Sequence, residues 1–428
     1  MASAFLSVPI QSRPAGKSGA RTTGNSISLI VDGIEGTRYA PSVLALERFA
    51  PRWPGPAGIT LRTGRIFGRL AKLHQSPMKA AQLESVAKHH DARGRFRNPW
   101  PGSTPHGFAD VLKWSGRRLV DRLRGRGREP AQEFPLAHPA VVTPRAADGA
   151  LRATWVGHST TLLQLGDVNV LTDPMWGERA SPFSWAGPRR HVPPALSLAS
   201  LPPIDVIVLS HDHYDHLDAS TVRALAAAHP EARWVTTLGV GARLLEFGVR
   251  QVVELDWWQE TNAGGAAVVC TPAQHFSGRG PTDRDSTLWG GFAIFAAGWR
   301  VFYAGDTGYH PEFGDIARRH GPFDLALVPI GAYDPRWFMQ PVHMDPEEAV
   351  ASVADLMRAR PQSRTALLPI HWGTFRLTDE PMDEPPRRAA EAWAAHGFPS
   401  DDFWLLRHGE TRSRVADRAA TWKSRRAK

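Results

Sequence analysis

From about residue 151 the chain falls into short apolar runs separated by turn residues, a rhythm that predicts strands interleaved with helices. ATWVGHST and TLLQLGDVNVLTDP read as a strand followed by a hairpin that turns at Gly166–Asp167. IDVIVLS is apolar almost throughout, as a strand buried on both faces is. A helix over STVRALAAAH, the strand RWVTTL, a helix near GARLLEFG and the strands QVVEL and AAVVCTP come next. FAIFAAGWRVFYAGD resembles another hairpin. FDLALVPI, a helix over DPEEAVASVADLMRAR, the strand TALLPIHW and a helix over RRAAEAWAAHG complete the pattern. Short strands mixed with helices, without a strong internal repeat, predict two sheets covered by helices, an α/β sandwich.

Residues 1 to about 90 are patterned differently. They are rich in Gly, Pro, Ser and Arg, and their apolar residues fall in broken patches such as SISLIV and PSVLAL, which predicts a mostly disordered leader. Within it, GRIFGRLAKLHQ sets Ile66, Phe67, Leu70 and Leu73 beside Arg65, Arg69 and Lys72 at helical spacing. A short solvated helix suits this pattern first, and a basic membrane-surface helix second. FADVLKWSGRRLVDRLRG is a second basic amphipathic segment, offering Phe108, Leu112, Leu119 and Leu123 and stopping at GRGREP. The expected division is a basic leader over 1–92, a catalytic domain over 93–415 and a basic tail over 416–428.

Charge sharpens this division. The 428 residues carry a net +9, yet residues 1–100 alone hold 15 Lys and Arg against 5 Asp and Glu. Between 130 and 410 there are 22 arginines, no lysine and 33 acidic residues, so the catalytic body is acidic. A nucleic-acid-binding body would show a basic surface, which argues against a nucleic-acid partner. The single cysteine, Cys270, excludes an intrachain disulfide and a thiolate zinc cluster, and it reads as a small core residue. No apolar run reaches the roughly 18–20 residues that span a bilayer. MASAFLSVPIQSRPAG lacks a charged n-region followed by an apolar core, so it is a poor signal peptide. The expectation is a reduced, cytoplasmic protein, with peripheral membrane contact and a homodimer both compatible.

The chemistry concentrates in LSHDHYDHLD, residues 209–218, where three histidines and three aspartates fall within eight positions. His211 and His213 are two apart at a strand end and share one face in extended backbone, with Asp215 and His216 on the following turn. Imidazole and carboxylate suit zinc, iron or manganese. A structural zinc site would close four ligands around the ion, usually with cysteine, so a catalytic centre is the better reading. Three further groups close predicted strands: His275 after AAVVCTPAQ, Asp306 after RVFYAG and His371 after TALLPI. Together they make a set sized for two divalent ions, zinc first and iron or manganese next. His211, His213 and His275 would hold one, Asp215, His216 and His371 the other, and Asp306 would bridge both. Two such ions make water reactive at neutral pH, so no serine or cysteine nucleophile is required. Gly157, His158 and Asp173 lie on loops expected to face this centre, Asp173 as the partner that orients a ligand histidine through its ring N–H.

HDHYDH, a later lone histidine, the GDTG aspartate and a late histidine resemble the metallo-β-lactamase fold of dinuclear hydrolases. GRFRNPWPG, TWVGHST, LTDPMW, ELDWWQE, FYAGDTGYHPEF, GPFDLALVPIGAYDPRWFM, HMDPEEAV, IHWGTFRLTDEPMDEPP and DDFWLLRHGETR narrow this to a resemblance to N-acyl-phosphatidylethanolamine-hydrolysing phospholipase D and its bacterial relatives. The similarity runs from about Gly94 to Arg412. It implies a four-layer αββα sandwich with the metal pair at one edge, and it agrees with the seven ligands chosen above. It also implies that Tyr214 and His343 line a substrate phosphate site, with Asp215, Asp306 and His343 in the catalytic set. One departure stands out: Val342 occupies the position before His343 where the family commonly has Gln. The resemblance implies a phospholipid substrate, cleaved to phosphatidic acid and an N-acylethanolamine. A lactone, ester or amide hydrolase on the same metals is the alternative, ahead of a nuclease and of a metal-binding scaffold without turnover.

Overall fold

The computed structural model describes residues 88–124, 133–146, 148–361 and 364–415, all within one compact unit, Ser76–Lys428. The first 87 residues of the leader, its GRIFGRLAKLHQ segment, the GRGREP stop and the tail over 416–428 lie outside the described residues.

Thirteen strands form two sheets among the described residues. One contains β1 (Leu151–Gly157), β2 (Thr160–Leu165), β3 (Val168–Thr172), β4 (Val206–Leu209), β5 (Arg233–Thr237), β6 (Val252–Leu255) and β13 (Thr411–Arg414), in the order β13-β1-β2-β3-β4-β5-β6. The other contains β7 (Glu260–Ala263), β8 (Ala266–Thr271), β9 (Gly291–Ala296), β10 (Trp299–Tyr303), β11 (Leu325–Pro329) and β12 (Ala366–Ile370), in the order β12-β11-β10-β9-β8-β7. Seven helices accompany them: α1 (Phe108–Leu123), α2 (Ala219–Ala228), α3 (Gly241–Glu246), α4 (Phe313–His320), α5 (Arg336–Met339), α6 (Pro346–Arg358) and α7 (Glu384–Ala395). This is the αββα sandwich expected from the sequence. None of the described helices is long and apolar enough to cross a membrane.

The apolar runs divide by parity, as two-sided burial requires. Val206 and Val208 of β4, Leu163 and Leu165 of β2 and Val235 of β5 enter a core shared with the second sheet. Ile207 and Leu209, Leu162 and Trp234 face the opposite way, into a cluster with Val222 and Leu225 of α2 and Leu244 of α3. A one-residue register slip would exchange these two sets, so the register is strongly specified. Helix α6 begins with a reciprocal capping box: the Asp345 side chain accepts from the Glu348 N–H, and the Glu348 side chain accepts from the Asp345 N–H.

Contacts of the fold begin before the 92/93 boundary expected from the sequence. His89 is fully buried and stacks on Trp257 with 4.1 Å between ring centroids. His89 and His90 donate from Nε2 to the two oxygens of Asp256, at 2.6 and 2.8 Å. The last residues of the expected leader are therefore part of the fold. A chain starting at Lys88 should melt within a few degrees of the full-length protein. A chain starting at Gly107 strips the buried Asp256 carboxylate of both imidazoles, which costs about 3–5 kcal/mol, and should melt at least roughly 5 °C lower. Equal melting temperatures for the two truncations, read by calorimetry, would show that residues 88–106 do not contribute to the fold's stability.

Candidate metal centre

Strands β1, β3, β4, β8, β10 and β12 all deliver their C-terminal ends to one rim of the sandwich, the edge where α/β sheets present their ligand-binding loops. His211–His216 follow β4, Asp173 follows β3, His275 lies beyond β8, Asp306 beyond β10 and His371 directly after β12. His158 sits in the tight turn between β1 and β2, and His343 precedes α6. Gly305 adopts φ +63°, and a Cβ there would stand 2.7 Å from the Gly290 carbonyl oxygen and 2.9 Å from Ser210 Cβ. Only glycine lets the β10 loop turn Asp306 inward at such close approach.

The structure brings all seven expected ligands together in two groups. His213 Nδ1 lies 2.9 Å from His211 Nε2 and 3.2 Å from His275 Nε2. In the other group, Asp215 Oδ2 lies 3.3 Å from His371 Nε2 and 3.5 Å from His216 Nε2. Asp306 stands between them. Its Oδ2 is 3.1 Å from both His216 Nε2 and His371 Nε2, and 3.9 Å from His275 Nε2.

Outside this set, further bonds aim the rings. Asp173 Oδ2 accepts from His216 Nδ1 at 2.5 Å and from the Ser210 hydroxyl at 2.5 Å, while its Oδ1 accepts from the Ser210 N–H at 2.8 Å. With its hydrogen committed to Asp173, Ser210 Oγ accepts from His211 Nδ1 at 2.9 Å. His275 Nδ1 donates to the Val342 carbonyl at 2.9 Å. Three histidines thus have a ring hydrogen fixed on Nδ1, which leaves Nε2 as the inward-facing atom that a metal would take. The bond to Val342 uses its backbone, so it does not depend on which side chain stands there.

Burial and neighbouring imidazoles hold His211 well below the ordinary histidine range, and they push His213 down to about 4 and His275 to about 3. Burial acts the same way on His216 and His371, but the Asp306 and Asp215 carboxylates overcome it, raising His216 and bringing His371 up to about 9. Burial alone would raise the two aspartates, yet the surrounding imidazoles keep both well below the usual carboxylate range. Two ionised carboxylates in a buried pocket call for positive charge between them. Asp306 Oδ1 is also buried without a hydrogen-bond partner, which in a native interior marks a group meant for an ion or ligand. Neutral imidazole lone pairs on the His211, His213 and His275 side fit a divalent ion directly; on the other side the protons held on His216 and His371 by Asp215 and Asp306 mark where a bound cation would take their place.

Three residues of the HDHYDHLD run are engaged elsewhere. Asp212 turns away: its Oδ1 accepts from the Gly278 N–H at 3.0 Å, and its Oδ2 pairs with Arg243 at 3.2 Å. Asp218 caps α2, its side chain accepting from the Thr221 N–H. Tyr214, expected at a phosphate site, donates its hydroxyl hydrogen to the Arg279 carbonyl at 2.9 Å, with the Arg279 guanidinium 3.8 Å over its ring. That hydrogen is already committed, so the phenol is not a free donor.

His343 does face the centre. It is 6% exposed, its Nε2 is 3.9 Å from Asp306 Oδ2, and its Nδ1 has no hydrogen-bond partner. Burial holds it well below the ordinary histidine range, so the ring is neutral. His158 is more central than its outer-loop position suggested. Its Nε2 is 3.1 Å from Asp215 Oδ2, and its ring centroid is 4.1 Å from that of His371. His158 (φ 54°) and His371 (φ 62°) both hold left-handed backbone, joined by the bond from the His371 N–H to the His158 carbonyl at 3.0 Å. The signal for His158 was the VGHST motif at a strand end; nothing local showed that β12 would close over it.

Comparison with known proteins agrees with this geometry. Residues 168–372 match the family model described as the Beta-lactamase superfamily domain. An uncharacterised protein of Mycobacterium tuberculosis is 45% identical over 331 residues, covering 76% of this chain and 86% of its own. N-acyl-phosphatidylethanolamine-hydrolyzing phospholipase D 1 of Caenorhabditis elegans is 41% identical over 256 residues, 57% of this chain and 70% of its own. The mitochondrial N-acyl-phosphatidylethanolamine-hydrolyzing phospholipase D of Saccharomyces cerevisiae is 32% identical over 265 residues, 60% of this chain and 55% of its own. With two buried His/Asp groups astride a shared aspartate and relatives of this extent, the chain belongs to the family of N-acyl-phosphatidylethanolamine-hydrolysing phospholipase D and its bacterial relatives, within the beta-lactamase superfamily of metal-dependent hydrolases.

Proposed function

We propose that this protein is a phospholipase D-type phosphodiesterase that cleaves N-acyl-phosphatidylethanolamine-like phospholipids to phosphatidic acid and an N-acylethanolamine. The observation that carries this reading is His343, a buried imidazole outside the two ligand sets, with Nε2 3.9 Å from Asp306 Oδ2 and Nδ1 left unpaired. A phosphodiester presents two non-bridging oxygens that share one negative charge, and a neutral imidazole can donate to one of them. The names of the worm and yeast relatives support the same substrate class.

His211, His213 and His275 would hold one ion, and Asp215, His216 and His371 the other, with Asp306 shared. When bound, such a pair supplies Lewis-acid polarisation of the phosphoryl group and reactive water at neutral pH. The water oxygen bonds to phosphorus, the bond from phosphorus to the ethanolamine oxygen breaks, and a proton originating in the water ends on the departing alcohol. Asp215 and Asp306 are held ionised, so neither is the proton donor; their part is to bind and orient. His343, kept neutral by burial, donates a hydrogen bond where negative charge builds on phosphorus.

Val342 favours a second reading of head-group choice. An apolar side chain next to His343 removes a donor that the family commonly supplies there, which suits a lactone, an ester or a different phosphodiester. The test is elemental analysis for about two ions per chain, zinc first and iron or manganese next, followed by parallel assays. N-acyl-phosphatidylethanolamine in mixed micelles, an acyl-homoserine lactone and duplex DNA are offered at verified metal occupancy. Release of phosphatidic acid and N-acylethanolamine as the fastest reaction is expected. Robust lactone hydrolysis with negligible phosphodiester turnover would sink the phospholipase reading.

A further inference from the structure

We propose that Asn98 is a positioning residue for the metal centre, holding the His275 backbone through its side-chain amide as a neighbouring strand would. Asn98 Nδ2 donates to the His275 carbonyl at 2.8 Å, and Asn98 Oδ1 accepts from the His275 N–H at 3.2 Å. This pair of bonds reproduces what an antiparallel partner offers, at a point where β8 has already ended at Thr271. The same amide donates to the Ser103 carbonyl at 2.8 Å and accepts from Trp289 Nε1 at 3.2 Å. Two donors and two acceptor sites are all that an asparagine side chain has, and all four are used. A flipped amide would set N–H against N–H and oxygen against oxygen, so the orientation is unambiguous.

The consequence for His275 follows from its other bonds. Its ring is steered by Nδ1 donating to Val342, but a ring can be aimed only from a backbone that is itself fixed. Asn98 fixes it from both sides of the residue. Without the amide, the buried His275 N–H and carbonyl lose these partners, and the loop beyond β8 is free to shift. A displacement of a few tenths of an ångström at this backbone moves Nε2 relative to His211 and His213. Outer partners of metal ligands typically contribute 10- to 100-fold in metal affinity.

The competing reading is that Asn98 merely shapes the turn in RNPWPG and helps dock the segment 88–106. That segment has a separate clamp, which makes the two readings separable. Asp256 accepts from His89, His90 and the Trp257 N–H, at 2.6, 2.8 and 2.8 Å. These hydrogen bonds clamp the segment at a point remote in sequence from His275. Removing His89 loosens the segment without touching His275.

The inference rests on His275 being a metal ligand, and it is independent of the substrate. The experiment uses the full chain, stripped of metal and titrated with cobalt(II), whose visible absorption reports the ligand field. Asn98→Ala should weaken the tighter cobalt site by 10- to 100-fold and alter its absorption, with circular dichroism unchanged. Asn98→Asp keeps the acceptor and loses the donor, so it should fall between; it is the variant to read if the alanine does not fold. His89→Ala should lower the melting temperature and leave cobalt affinity and spectrum at parent values. His275→Ala should lose the same absorption band, which validates the probe. Parent-like affinity and spectrum in both Asn98 variants would overturn the proposal, as would an equal spectral change in His89→Ala. A spectrum unmoved by His275→Ala would remove the ligand itself, and the proposal with it.

Discussion

Asp306→Ala should lose at least one bound ion and at least 10³-fold in turnover. Its Oδ2 is the one atom within 3.1 Å of His216 and His371 and also within 3.9 Å of His275, so it links two sets that otherwise share no oxygen. Its loss leaves His216 and His371 without the charge that keeps them protonated or bound. Loss of one stabilising donor in an active site costs about 10²–10³ in rate, and this variant removes more than a donor. The residue is also 4% exposed, so misfolding must be separated from lost chemistry. Asp306→Asn preserves the volume and should fold, yet its neutral amide cannot bridge. Elemental analysis and circular dichroism on both variants make the separation. Two retained ions with parent-like turnover in either would end the shared-aspartate reading.

His343→Ala should keep both ions and lose about 10²–10³ in phosphodiester turnover. The ring is outside the seven-residue set, so metal content is expected to stay at the parent value. Tyr214→Phe is the informative contrast. The Tyr214 hydroxyl hydrogen already goes to the Arg279 carbonyl, so its removal should change turnover only a few-fold while loosening the Arg279 loop. A lactone held through its carbonyl has less need of the His343 donor, so the alanine variant should shift relative activity towards lactone. Phosphodiester turnover unchanged in His343→Ala, at verified metal occupancy, would take this imidazole out of the reaction.

The sandwich was legible because most strands are local events. IDVIVL, AAVVCT, RVFY and ALLPI announce burial by composition, and each is followed within a few positions by a residue whose chemistry does not suit a core. That juxtaposition of greasy run and polar terminus also exposed His211, His275, Asp306 and His371. The strands that escaped notice lack it. ETNA of β7 and TRSR of β13 carry no apolar alternation; β13 is an edge strand with Arg412 and Arg414, held to β1 by backbone pairing and by a Thr154–Thr411 side-chain bond of 2.8 Å. The four residues of α5 offer too few turns for a period to show, and α4 carries only Phe313, Ile316 and Ala317 on its buried face, between charged neighbours. In the site, the features the sequence could not decide are those set by distant partners. Asp212 and Asp215 are chemically identical, and it is Arg243 and Gly278 that hold Asp212 away from the centre. Tyr214 is disarmed by a carbonyl 65 residues away. His158 gains its place only when β12 arrives.

The left-handed backbone at His158 and His371 bears on how this protein can be improved. Each such conformation costs on the order of 1–3 kcal/mol for a residue with a side chain, and glycine would relieve it. A redesign that weighs backbone strain alone would therefore favour glycine at both positions, yet each change also empties the space of a buried ring, which offsets the gain. If His371 holds a metal as proposed, glycine there would trade a ligand for relaxed backbone, so gains in stability are better sought elsewhere in the chain.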